Sequence, residues 1–311
     1  MSGHTLRQSL ARSLLLLMLA AAPAAAQDKG TLNPQPLPPL EHPDDPKTAA
    51  KQLFGRKLQP TKDPARVYGF YAHGCLAGAE QLPIDGPTWQ VMRLSRNRNW
   101  GHPSLVKFLE RLSAKAAKKG WPGLLVGDMS QPRGGPMITG HASHQVGLDA
   151  DVWLTPMPDR TLTRAEREEL SATMVVADSR LDVDPKIWTS GHFEVIKAAA
   201  QDPEVERIFV NPAIKKALCR DAGNDRDWLH KVRPWWGHDY HFHVRIACPP
   251  DDADCKPQPP VPGADDGCGA ELKSWFKDSI IHPKPSPAGP PAHGMTMAAL
   301  PKECKAVLKA P

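Results

Sequence analysis

Apolar positions recur with helical spacing most clearly over residues 104–119, where Leu105, Phe108, Leu109 and Leu112 fall on one face and Gly120 ends the run. Ser104 is the expected N-cap of that helix. Behind Pro122 and Gly123, the run Leu124, Leu125, Val126 predicts a short strand. Thr163 and Glu166 form a capping box that opens a second helix. Further helices are expected over 192–201 and 212–219, with a strand over 207–210. Residues 241–247 alternate strictly: Phe242, Val244 and Ile246 point one way, and His241, His243, Arg245 and Ala247 the other. Helices and short strands interleave without regular βαβ spacing, which predicts an α+β class, a small antiparallel sheet flanked by helices.

Both ends depart from this pattern. Residues 27–64 carry Pro34, Pro36, Pro38, Pro39, Pro43 and Pro46 with no apolar period, and predict an extended, surface-lying N-terminal arm. The body begins near Tyr68, giving a folded domain over 65–248, and residues 249–311 return to a proline-rich, loop-like segment. Residues 1–26 have the layout of a secretory signal: Arg7 and Arg12, an apolar run from Leu14 to Ala22, and the small residues Ala24, Ala25 and Ala26 before the expected cleavage. The apolar run is well short of the roughly 20 residues that span a bilayer, so no transmembrane segment is expected after cleavage.

Hydrophobic residues make up 41% and charged residues 23% of the 311, the balance of a folded chain rather than a disordered one. The formal charge of +5 falls when the two arginines of the signal leave, and so weak a charge gives no case for nucleic acid. It is compatible with an anionic polymer such as a cell wall. In an exported chain, the six cysteines Cys75, Cys219, Cys248, Cys255, Cys268 and Cys304 predict three disulfides, with the pairing open. Cys248 and Cys255 are close enough to close a local loop, and a bond from Cys75 to Cys304 would tie the tail to the body. The absence of any Cys-x-x-Cys pair speaks against thiolate zinc.

The chemistry concentrates in histidines. Of thirteen, five fall in two groups, His141 with His144 and His238 with His241 and His243. The first group runs on through Asp149 and Asp151, two apart and therefore on one side of an extended segment. Two imidazoles and a carboxylate presented from rigid strands, with a fourth position open, are the ligand set of a hydrolytic zinc site. Trp153, Trp235 and Trp236 adjoin the clusters and predict a walled cleft. There is no His-Glu-x-x-His helix, and Ser104-Leu-Val-Lys107 lacks the Lys-Thr-Gly partner of serine acyl-enzymes.

The spacing His144-x6-Asp151 followed by His241-x-His243 resembles that of the LAS metallopeptidases (lysostaphin, D-Ala-D-Ala metallopeptidases, hedgehog). Longer runs are similar, in order, to the family of penicillin-insensitive murein endopeptidases. These are Tyr71-Ala-His-Gly-Cys75, Gly101-His-Pro103, Gly140-His-Ala-Ser-His-Gln145, Arg207-Ile-Phe-Val-Asn-Pro-Ala-Ile214, Asp227-Trp-Leu229, Val232-Arg-Pro-Trp235 and Asp266-Gly-Cys-Gly-Ala-Glu-Leu272. The resemblance covers about residues 65–280 and Cys304, while the arm at 27–64 and the tail at 278–303 align with nothing.

This resemblance implies a LAS-type fold and one catalytic Zn2+ held by His144, Asp151 and His243. It makes His241 the catalytic residue, with His141 and His238 as further active-site histidines. It also implies the disulfides Cys75–Cys304, Cys219–Cys268 and Cys248–Cys255. The implied activity is hydrolysis of D-alanyl–meso-diaminopimelyl cross-links of periplasmic peptidoglycan through a zinc-activated water, insensitive to penicillin because no serine is acylated. His241 would take the water's proton or stabilise the oxyanion, and His238 or His141 would protonate the leaving amine or position substrate. Asp149 is either an outer partner that fixes a ligand's tautomer or a structural acid. Two alternatives share the site: a D,D- or L,D-carboxypeptidase, with Arg245 or Arg133 clamping a terminal carboxylate, and a non-catalytic wall-binding zinc module.

Overall fold

A computed structural model describes residues 29–261, 265–282 and 294–311, so the expected signal at 1–26 lies outside the described residues. In chain order, α1 (Ala50–Phe54) precedes the hairpin of β1 (Arg66–Phe70) and β2 (His73–Ala77). The short strands β3 (Glu80–Gln81), β4 (Asp85–Gly86), β5 (Trp89–Val91) and β6 (Trp100–Gly101) lead to α2 (Pro103–Lys118) and β7 (Leu124–Val126). A long loop enters β8 (Asp149–Trp153), followed by α3 (Arg164–Glu169), α4 (Ser190–Ala200), β9 (Val205–Val210), α5 (Pro212–Asp221), β10 (Val232–Pro234) and β11 (His241–Ile246). Three short helices, α6 (Ala270–Ser274), α7 (Asp278–Ile281) and α8 (Glu303–Lys309), close the chain. No helix among the described residues is long and apolar enough to cross a membrane.

The class is α+β. Seven strands form the main sheet in the order β10-β9-β11-β8-β7-β5-β4. Its centre, β9-β11-β8-β7, is antiparallel, whereas β10 with β9 and β5 with β7 run parallel. The sheet is therefore larger and more mixed than its sequence suggested, because its flanking strands are only two or three residues long and cannot display a period of two. Ala150 and Val152 of β8 share a core with Phe242, Val244 and Ile246 of β11 and with Leu105, Phe108, Leu109 and Leu112 of α2. That burial turns the opposite, polar face of β8 and β11 toward the loop before β8.

The cap of α2 is not Ser104. His102 occupies the N-cap and accepts the Ser104 backbone N–H through Nδ1 at 3.2 Å, with Pro103 in the first helical position. At the other end Gly120 takes φ +87°, and Trp121 N–H reaches the Ala116 carbonyl at 3.0 Å in a Schellman closure. The capping box at Thr163 and Glu166 opens α3.

The arm lies on the surface over its proline-rich part, where Gly30 N–H donates to the Glu168 carbonyl at 3.0 Å and Arg56 Nε to that of Pro38 at 3.0 Å. It is not extended throughout: α1 buries Ala50 and Phe54 against Ala77, Cys75, Leu300, Val307 and Leu308 in a second apolar cluster. Five residues are too few for a helical period to show. The disulfide Cys75–Cys304, between residues 229 apart in sequence, joins α8 to β2 within this cluster. Cys219–Cys268 and Cys248–Cys255 are the other two bonds.

Candidate metal centre

Strand register builds most of the site. In the antiparallel pair β8–β11, His243 stands opposite Asp151, Arg245 opposite Asp149, and His241 opposite Trp153. Directly opposed residues share a face, with Cβ atoms about 5 Å apart, so His243 and Asp151 are brought together by backbone pairing alone. On the other side of β11, Phe209 of β9 opposes His243 and packs its ring 5.4 Å from the imidazole.

His144 comes from the loop and is held there by its backbone. It adopts φ +64°, an unusual conformation for a residue with a side chain, and its N–H donates to Asp149 Oδ2 at 3.0 Å. Gln145 fixes the neighbouring loop by donating to the carbonyls of Ala72 (2.7 Å) and Ala142 (3.0 Å) and accepting from Gly74 N–H (3.2 Å).

Three atoms then converge: His144 Nε2 to His243 Nδ1 is 3.1 Å, His144 Nε2 to Asp151 Oδ1 is 3.4 Å, and His243 Nδ1 to Asp151 Oδ1 is 3.3 Å. A tetrahedral ion with bonds of about 2.0–2.1 Å has ligand–ligand edges of about 3.3–3.4 Å, so this triangle fits one face of such a polyhedron. Asp151 Oδ1 is buried and without a hydrogen-bond partner, a costly state that a bound cation relieves. His141, His144 and Asp151 also offer three ligand atoms within 4.8 Å of one another. His141 fits less well, because its Nε2 stands 3.0 Å from Asp128 Oδ2 and 3.6 Å from Asp151 Oδ2.

Asp149 supports the triangle from behind. It is fully buried, and Oδ1 accepts from His243 Nε2 at 2.9 Å and from Arg245 Nε at 2.7 Å. The first bond puts a proton on His243 Nε2 and leaves the Nδ1 lone pair facing the triangle. Burial alone would raise the Asp149 pKa, but the Arg245 guanidinium and His243 hold it well below the usual carboxylate range. Asp151 is likewise held down against its burial by His241, His144 and His141.

The family model for penicillin-insensitive murein endopeptidase matches residues 67–309. The chain belongs to this family. It is 50% identical over 244 residues to the penicillin-insensitive murein endopeptidase of Haemophilus influenzae, covering 77% of this chain and 85% of that protein. It is 46% identical over 251 residues to the Klebsiella pneumoniae protein of that name (80% and 88%) and 47% identical over 250 residues to the Salmonella typhimurium one (80% and 88%).

In this murein endopeptidase family member, the remaining histidines ring the triangle. His241 Nε2 is 3.7 Å from Asp151 Oδ1, and burial lowers its pKa to about 4. His238, at φ +58°, donates through Nδ1 to the Trp236 carbonyl at 2.7 Å and packs its ring 4.8 Å from His241. Trp153 is buried beneath the site, whereas Trp235 and Trp236 are 54% and 43% exposed and form an open aromatic wall with Trp275 rather than a closed cleft.

Two arginines expected as carboxylate clamps serve the fold instead. Arg245 is buried between Asp149 and Gln258, over the Tyr71 ring. Arg133 donates to the carbonyls of Val307, Leu308 and Ala310 and so ties α8 to the site loop. Sequence reading missed Asp128, whose Oδ2 joins His141 to Arg96 (3.0 Å) and Arg98 (2.8 Å). The arginine-rich run Arg93 to Arg98 was the available signal, but it reads as a solvated charge cluster.

Proposed function

We propose that this chain is an exported zinc endopeptidase that hydrolyses D-alanyl–meso-diaminopimelyl cross-links of periplasmic peptidoglycan. The observation that carries the reading is the His144–Asp151–His243 triangle with its unpartnered carboxylate oxygen, in a member of this family. Three disulfides and the signal-like N-terminus support export to an oxidising compartment.

His144, Asp151 and His243 would hold one Zn2+. When bound, zinc supplies Lewis acidity that polarises a carbonyl and acidifies water. The chain's own groups do the rest. His241, kept neutral by burial beside the triangle, takes the proton of the attacking water and hands it on to the departing amine as the C–N bond breaks. His141, oriented by Asp128, and His238, oriented by the Trp236 carbonyl, flank the reacting centre and position the substrate around it. Asp149 fixes the His243 tautomer and the His144 backbone together.

Digestion of a purified cross-linked muropeptide dimer by the exported chain, followed by mass spectrometry, tests this directly. Conversion of dimer into two monomers, abolished by a zinc chelator and restored by zinc, is the expected result. Loss of a single terminal alanine would move the chain to the carboxypeptidases, and an unchanged dimer with zinc bound would make it a binding module.

A further inference from the structure

The face of the sheet that carries the metal centre continues into an aromatic wall. Ring centroids step from His243 to Phe209 at 5.4 Å, from Phe209 to Trp235 at 5.8 Å and from Trp235 to Trp275 at 6.4 Å, with Trp236 5.5 Å from Trp275. Two segments distant in sequence meet there, and each is tied down. Trp235 N–H donates to the Val210 carbonyl at 2.8 Å, and the Asn211 side-chain amide donates to the Gly237 carbonyl at 3.1 Å. Trp275 ends α6, whose approach is fixed by the Cys219–Cys268 bond, by Arg226 Nε on Asp266 Oδ2 (2.8 Å) and by Lys215 Nζ on the Asp266 carbonyl (2.6 Å). Glu271 of α6 pairs with Arg233 of β10.

Held from behind, the wall is open in front. Trp235 and Trp236 are exposed and Trp275 is half-buried. Four other tryptophans give their indole N–H to the fold: Trp89 donates to the Pro83 carbonyl, Trp100 to Asn97, Trp188 to Asp221 and Trp228 to the Asp225 carbonyl. Among the described residues, the three indole N–H groups of the wall make no hydrogen bond, and no cation stands over their rings. The wall therefore presents apolar faces beside unused donors. That surface suits a ligand with C–H faces and neutral hydroxyl or carbonyl acceptors. A carboxylate laid on the negative face of an indole would instead be desolvated without a partner.

We propose that Trp235, Trp236 and Trp275 form a saccharide subsite, which takes an N-acetylated amino sugar of the glycan strand while the cross-link lies at the metal centre. This rests on the endopeptidase reading above. A pyranose ring offers a flat C–H face to stack on an indole, and its hydroxyl and acetamido oxygens accept from the indole N–H. The stem peptide suits the wall less well, because its glutamyl and diaminopimelyl residues carry free carboxylates. The reach agrees as well. A stem of four residues spans at most about 14 Å between cross-link and sugar. That is of the order of the three ring-to-ring steps from His243 to Trp275. Binding at that distance holds the cross-link over the metal centre, so the wall selects cross-links that still carry their glycan.

The test compares a disaccharide-bearing muropeptide dimer with the same dimer stripped of its sugars, as substrates of the zinc-loaded chain and its variants. The wild-type protein is expected to prefer the sugar-bearing dimer by about 10- to 100-fold in kcat/KM, the range of two stacked rings. A double variant, Trp236→Ala with Trp275→Ala, is expected to discriminate by less than about 3-fold, because sugar and wall remove one interaction. Trp275→Phe, which keeps a ring without the N–H, is expected to fall between the two. Each preference is a ratio within one protein, so a general loss of rate cancels. A second readout needs no hydrolysis: on titration with the N-acetylglucosamine tetramer, the indole N–H resonances that the Trp236 and Trp275 substitutions remove are expected to shift. Equal rates for both dimers with the wild-type protein would overturn the proposal, as would an undiminished preference in the double variant. Cleavage of neither dimer would remove the endopeptidase reading, and the titration then decides the subsite alone: shifted wall resonances uphold it and unshifted ones overturn it.

Discussion

His243→Ala is expected to abolish metal binding and cross-link hydrolysis together, whereas His241→Ala is expected to lose hydrolysis and keep the metal. The difference follows from where each imidazole points. His243 Nδ1 is one vertex of a triangle with edges of 3.1, 3.3 and 3.4 Å, and its removal leaves only His144 and Asp151. His241 Nε2 lies 3.7 Å from Asp151 Oδ1, beside the triangle rather than within it. Loss of a general base of this kind costs about 10²- to 10⁴-fold in rate. Metal-to-protein ratios after dialysis, read beside dimer hydrolysis and a folding control, separate the two roles. A folded His241→Ala protein that cannot retain zinc, or a His243→Ala protein that does, would contradict the assignment.

The second large effect is expected at Asp149, although it contributes no vertex. Asp149→Asn has the same shape, but an amide cannot accept at both ends, and it carries no charge to offset Arg245. Arg245 would be left buried without a countercharge, facing only the neutral amides of Gln258 and the new asparagine, and breaking a buried pair in this way costs about 3–5 kcal/mol. A neutral amide is a weaker acceptor for His243 Nε2 than the carboxylate and holds the tautomer less firmly, which is expected to weaken zinc binding by about 10- to 100-fold. The pH dependence has a definite sign. A carboxylate held below its unfolded pKa of about 3.9 stabilises the native state above that value and ceases to do so as pH falls through the folded one. Denaturant titrations are therefore expected to show a wild-type advantage that is full at pH 7 and shrinks below about pH 4. Equal stability and equal zinc affinity of the two proteins at pH 7 would show that Asp149 does not support the site.

Periodicity in the sequence separated the faces of β11, with Phe242, Val244 and Ile246 in the core and His241 and His243 toward the site. It could not supply the register that sets His243 opposite Asp151, because pairing depends on a strand some 90 residues away. The left-handed backbone of His144 was equally hidden, since a histidine gives no local signal for positive φ. Asp128 and Arg96 lie on loop and 3₁₀ structure without a repeating pattern, and only folding brings them to His141. At α2, a serine with good capping propensity gave way to His102, because Pro103 already occupied the first helical position. The cysteines indicated three bonds by number alone, while their pairing followed from family resemblance rather than from spacing.

The most direct measurement is anomalous diffraction at the zinc edge from crystals of the exported chain grown with zinc. One peak is expected, about 2.0–2.2 Å from His144 Nε2, Asp151 Oδ1 and His243 Nδ1, with its fourth side open. A peak held between His141 and Asp128, or no peak at the triangle, would contradict it.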